Sequence, residues 1–150
     1  MQERGIALTE TTDHEPGAFS SSVTARLRCD AGSYTVAGTL FGNNMPRLVQ
    51  LDEYRLEAYL DGNVLIFSHH DVPGIIGAVG TVFGKHELNI AQMAVGRAGK
   101  RPGGRAIGVL NLDSLPREEA IEELLRHEHI QNVTVVQLPP AGELPPWLAM

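Results

Sequence analysis

Two rhythms of apolar residues divide the chain, and they meet near Asp61-Gly62-Asn63. Before that junction the period is two. Val23, Ala25, Leu27 and Cys29 alternate with Thr24, Arg26 and Arg28, the signature of a half-buried strand. Cys29, on the apolar side, is expected to fill core. Asp30-Ala31-Gly32 supplies a turn, and Tyr34, Val36 and Leu40 continue on a partner strand. Gly38 and Gly42 weaken that partner and mark candidate bulges. Residues 47–51 and 54–59 form two further strands with only Asp52-Glu53 between them, a two-residue hairpin link. Glu53 suits poorly a turn that needs positive φ. Two hairpins make a thin core. Residues 1–62 therefore read as a strand meander whose sheet is partly missing or supplied by a partner.

After the junction the pattern alternates strand and helix. Residues 64–68 form a strand, and Pro73 suits a first helical turn, where no N–H is needed. Ile75, Ile76, Val79, Val82 and Phe83 then recur at helical spacing as one apolar stripe. Strands follow at 89–95 and 106–112, joined by a basic, Gly-rich hairpin loop at 97–105. Pro116-Arg117-Glu118-Glu119 opens a second helix, with acidic residues matching its dipole. Its stripe is Ala120, Ile121, Leu124 and Leu125, and residues 132–138 form a last strand. The βαββαβ order predicts an α+β, ferredoxin-like sandwich with two helices on one face of an antiparallel sheet. The tail, 139–150, is proline-rich and expected to be irregular. Trp147 within it either anchors the tail or marks a loose end.

Composition narrows the function classes. With 150 residues, 43% hydrophobic and 20% charged, the chain has the make-up of a globular protein. Its net charge of -6 disfavours a nucleic-acid partner, which needs clustered cations. The one cysteine excludes an internal disulfide and fits a cytoplasmic setting. No apolar run approaches the roughly 18 residues of a membrane helix.

The chemistry concentrates at Ser68-His69-His70-Asp71-Val72-Pro73-Gly74-Ile75 and at Asn89-Ile90, sixteen residues after Pro73. Asp71 has two readings. It could cap the helix, a role worth about 1 kcal/mol. Alternatively the helix amides hold a ligand carboxylate while Asp71 and a backbone carbonyl hold an ammonium. That arrangement suits a zwitterion such as an amino acid. His69 and His70 point to opposite faces of a strand end and cannot share one metal. Gly74, Gly77 and Gly80 are spaced G-x-x-G-x-x-G, which is not the dinucleotide fingerprint. Arg97, Lys100, Arg101 and Arg105 read as a solvated hairpin tip or as a dock for an anion. Asp52, Glu53 and Glu57 read as solvent-facing. No nucleophile, base and orienting acid fall together, so no catalytic residue is assigned.

Asp71-Val72-Pro73-Gly74 through Asn89-Ile90-Ala91 resembles ACT domains, ferredoxin-like modules that bind amino acids and regulate metabolic enzymes. The segments 36–42, 46–49, 54–55 and 103–113 are similar to the C-terminal part of the D-3-phosphoglycerate dehydrogenase family. The resemblance runs over about residues 3–138. It implies that 1–62 is the later portion of an intervening, allosteric substrate-binding domain and 63–138 an ACT domain. It implies no cofactor on this stretch, the NAD of the parent enzyme belonging to domains outside it. It also implies L-serine bound between two ACT domains of a homodimer. His69, Asp71, Val72, Gly74 and Ile75 would come from one copy, and Asn89 and Ile90 from the other. Iron–sulfur L-serine dehydratase combines similar domains, but its cluster needs cysteines beyond Cys29. A module that assembles subunits without binding an effector is the remaining reading.

Overall fold

The computed structural model describes residues 5–14 and 18–143. Four strands come first: β1 (Ser22–Cys29), β2 (Gly32–Phe41), β3 (Met45–Leu51) and β4 (Tyr54–Tyr59). They form an antiparallel meander in the order β1-β2-β3-β4. Then come β5 (Asn63–His70), α1 (Ile75–Lys85), β6 (Ile90–Arg97), β7 (Arg105–Leu112), α2 (Glu118–Leu125) and β8 (Ile130–Gln137). These strands form a second antiparallel sheet in the order β6-β7-β5-β8. The ferredoxin-like α+β arrangement is therefore present, preceded by a mostly β region.

The central strands β5 and β7 read as apolar runs because both faces of the second sheet are covered. On one face Leu65, Phe67, Leu110 and Leu112 pack under Ile75, Val79 and Phe83 of α1 and Leu124 of α2. Gly108 is part of this packing. A Cβ there would sit 2.1 Å from the Phe67 ring, so only glycine leaves room for the aromatic. On the opposite face Val64 and Val109 meet Leu48 and Ala58 from the first sheet. There Gly96 lets β4 approach closely, since a Cβ would lie 3.0 Å from the Arg55 carbonyl oxygen. Asn111, 6% exposed, donates from Nδ2 to the carbonyls of Tyr59 (3.2 Å) and Asp61 (3.0 Å), which fixes the link between the sheets.

Several sequence expectations change. β1 is not half-buried: all eight of its residues are exposed, and so is Cys29, which fills no core. The cause is position. β1 is the outer edge of the meander, beyond the reach of the second sheet, so no layer of the described residues covers its apolar side. Ile76 and Leu125 fall at the margins of their helical stripes and are exposed at 41% and 45%. The register shift beside Gly38 bears out a bulge there. In the 52–53 turn it is Asp52, at φ 49°, that takes the left-handed conformation. Its carboxylate accepts from the Thr35 amide and its own amide donates to the Thr35 carbonyl, both at 2.7 Å. Glu53 is thereby left to pair with Arg105 at 2.6 Å, and Glu57 lies 3.8 Å from Arg47. Both glutamates are exposed, as expected, while Asp52 is half-buried. Arg47 is held between the rings of Phe41 and Tyr59. The expectation for Trp147 lies outside the described residues.

Candidate functional site

β5 ends at His70, and the chain turns through Asp71, Val72 and Pro73 before α1 begins at Ile75. Pro73 therefore precedes the first helical turn instead of sitting in it. Gly74 is the cap, at φ 96° and ψ -19°, a left-handed conformation that glycine adopts without steric cost. No side chain among the described residues caps the helix. Asp71 does not take that role. Its carboxylate turns the other way and meets Arg97 of β6, with Nε 2.7 Å from Oδ2. The first-turn amides of α1 have no carbonyl one turn earlier and sit at the positive end of the helix dipole.

The turn is zipped to the 98–104 loop by its backbone. The Asp71 amide donates to Gly104 at 2.8 Å, and the Asp71 carbonyl accepts from Gly103 at 3.0 Å. The Val72 amide donates back to His70 at 2.9 Å. Between turn, helix and loop lies a groove of about 320 Å³, lined by Asp71, Val72, Gly74, Ile75, Arg97 and Pro102 among others. It is large enough for a small amino acid or organic acid. Its polar side chains are one carboxylate and one guanidinium.

His69 does not line the groove; it is 3% exposed and stacked on Phe67 at 5.2 Å. Its Nδ1 is 2.8 Å from the His70 carbonyl. A carbonyl can only accept, so Nδ1 carries the proton. Nε2 is buried and has no hydrogen-bond partner among the described residues. His70, on the opposite face, is 3.0 Å from Gln131 and stands edge-on to His129. The two histidines do point apart.

Asn89 is not at the groove. It is exposed and follows Glu87, whose φ of 56° closes the turn after α1. Its amide donates to Asp113 at 2.6 Å. Ile90 opens β6 and packs against the core. An eleven-residue helix separates the two groups, a span of about 16 Å at 1.5 Å per residue. Within one chain the structure thus gathers Asp71, Val72, Gly74 and Ile75 at the groove, buries His69 outside its lining, and leaves Asn89 and Ile90 at the far end.

Reading the basic cluster as a solvated loop tip missed Arg97. It is the last residue of β6, and it faces Ala106, which in turn faces His69. Two residues beyond His69 is Asp71. The register of three strands was the signal, and it is visible only once the sheet order is known. At the other end of the helices, Lys85 and His86 both reach Glu123 at 2.8 Å, tying α1 to α2. The hydrogen bond from Lys85, then that from His86, holds the Glu123 carboxyl below its ordinary range.

Comparison with known proteins places both halves. Residues 63–129 match the ACT domain family, and residues 1–52 match the D-3-phosphoglycerate dehydrogenase intervening domain. The chain is an intervening-domain segment joined to an ACT domain. Two strands lie beyond the matched stretches: β4 pairs with β3 of the first sheet, and β8 pairs with β5 of the second. Curated relatives repeat the combination. D-3-phosphoglycerate dehydrogenase of Archaeoglobus fulgidus is 36% identical over 91% of this chain and 26% of its own length. The Bacillus subtilis enzyme is 30% identical over 92% of this chain and 26% of its own. That of Synechocystis is 32% identical over 91% and 24%. The chain spans about a quarter of the length of these relatives. Among the described residues, no helix of the ACT domain or of the segment before it is long and apolar enough to cross a membrane.

Proposed function

We propose that this chain is the regulatory portion of a D-3-phosphoglycerate dehydrogenase and that it binds L-serine as a feedback effector. The observation that carries this reading is the groove at the mouth of α1. There an uncapped helix start and the Asp71 carboxylate offer opposite charges to a ligand of zwitterion size. The ligand carboxylate meets the helix amides and its ammonium meets Asp71. Asn89 completes the site from a second copy, because within one chain it stands a helix length away. Binding of serine then biases how the domains of the full enzyme are oriented, a coupling of about 1–3 kcal/mol. Oxidation of phosphoglycerate and the NAD it needs belong to the longer enzyme, in the cytoplasm.

Titration calorimetry of the chain with L-serine tests this. The expected result is saturable heat from a homodimer, weakened by Asp71→Ala and by Asn89→Ala. Mixing the two variants should restore one intact site per dimer, since each supplies what the other lacks. A confirmed dimer that gives no heat at millimolar serine would sink the proposal, and failure of the mixed variants to recover would sink the shared site.

One observation favours a second reading, an assembly module without effector. Asp71 already has a cationic neighbour in its own chain. On that reading the dimer survives Asn89→Ala, and no amino acid shifts its melting temperature.

A further inference from the structure

The groove beside α1 contains a charged group that neither half of the serine site described above uses. Arg97 is 52% exposed at its side chain, while Asp71 is 15% exposed. Their contact is close, yet Asp71 Oδ2 is buried without an aligned hydrogen-bond donor. The pair is thus joined by charge and leaves hydrogen-bonding capacity on both sides. On Asp71, Oδ1 has no partner among the described residues. On Arg97, only Nε is engaged, and the two terminal amines have no partner among the described residues. Both side chains line the same groove as the helix start.

Their positions are fixed from the backbone. The Asp71 amide and carbonyl are both bonded to the loop that follows Arg97. Gly96, next to Arg97, is pressed against β4, and the Ala98 amide donates to Arg105 at 2.9 Å. The backbones that carry the carboxylate and the guanidinium are thereby fixed side by side. A fork of terminal N–H donors matches a carboxylate far better than an ammonium does.

Resting on the serine reading and deepening it, we propose that Arg97 is the residue that selects for a ligand carboxylate. Asp71 and Arg97 act as a two-charge clamp. The ligand ammonium takes the open oxygen of Asp71. The ligand carboxylate lies between the terminal amines of Arg97 and the first-turn amides of α1. Cancellation of Asp71 by Arg97 also makes a simple amine a poor ligand, because its charge would meet a neutral pair. The groove therefore takes α-amino acids and rejects the amines that correspond to them.

The test compares L-serine with 2-aminoethanol, which is serine without its carboxylate, by calorimetry on the full chain. Wild type should prefer serine by roughly tenfold or more, the scale of a charge-assisted bond. Arg97→Gln should lose about that factor for serine and keep only the smaller preference that the first-turn amides of α1 supply. Arg97→Lys, which keeps the charge but loses the fork, should fall between, with an unchanged melting temperature as the folding control. If Arg97→Gln binds serine as tightly as wild type or tighter, Arg97 is only a plug on Asp71 and this proposal fails while serine binding stands. Equal weakening of both ligands would mean a structural role and would also overturn it. If wild type binds no serine, the underlying reading fails and the proposal falls with it.

Discussion

Strands β1 and β7 are both eight residues long and both carry apolar side chains, yet they have opposite fates. All eight residues of β1 are exposed, whereas every residue of β7 but the first is buried. β7 lies inside a three-layer stack: helices on one side, the intervening-domain hairpin on the other. β1 lies at the edge of a sheet that has a second layer only near β3 and β4. Alternation along a strand says which face is able to be buried. It does not say whether anything arrives to bury it.

The same contrast runs through the two sheets as wholes. The ACT domain has a sizeable core of its own, built on Leu65, Phe67, Phe83 and Leu110. The intervening-domain segment has a small one, and half of it is borrowed. Leu48 and Ala58 are buried only because Val64 and Val109 of the ACT sheet lie against them. Stability should accordingly be concentrated on one side of the molecule.

Substitutions can break or sharpen this comparison. The largest effect is expected from Phe67→Ala, which opens a cavity beneath α1 and beside Gly108. A loss of about 3–5 kcal/mol is expected, read as a fall in the urea midpoint at constant slope. A loss under about 1 kcal/mol would mean that the ACT core is loosely packed. Next is Gly96→Val, which places a branched side chain where the Arg55 carbonyl now sits. It should cost about 1–3 kcal/mol and separate the unfolding of the two sheets into distinct transitions. A single sharp transition in that variant would show that the hairpin does not depend on the contact.

Smaller is the effect of Glu123→Gln, at the Lys85–His86–Glu123 junction. The folded carboxyl titrates below its unfolded value, so its stabilisation is present above the ordinary carboxylate range and is lost as the pH falls through the folded value. The wild-type advantage in melting temperature should therefore vanish in acid, and an advantage that persists there would rule out the ion pairs as its cause. Smallest is Leu27→Ser on β1. Leu27 is 56% exposed, so the change should stay within about 0.5 kcal/mol. A larger loss would reveal a hidden partner for that edge.

Much of this architecture was legible in the residues themselves. The period-two pattern around Val23 and Leu27, the helical stripe from Ile75 to Phe83 and the punctuation at Asp61-Gly62 locate nearly every element. The ACT motif from Asp71 to Asn89 likewise marks the turn into α1 and the return to β6. The limits are equally specific. Asp71 read either as a helix cap, because Asp before a helix commonly is one, or as a ligand contact, and the structure removes the first. Its true neighbour, Arg97, is 26 positions later and is brought there by strand register. Cys29 looked like core because an apolar alternation carries no information about a second layer.

Local sequence determined the elements, their order and the glycine at the helix mouth, because backbone sterics and side-chain periodicity act over a few residues. Only the tertiary structure decided that the hairpin would lean on the ACT sheet at Gly96, that β1 would go uncovered, and that Asp71 would face a guanidinium. Those outcomes depend on which surfaces meet after the chain closes on itself, and contact between distant segments leaves no periodic trace in either one.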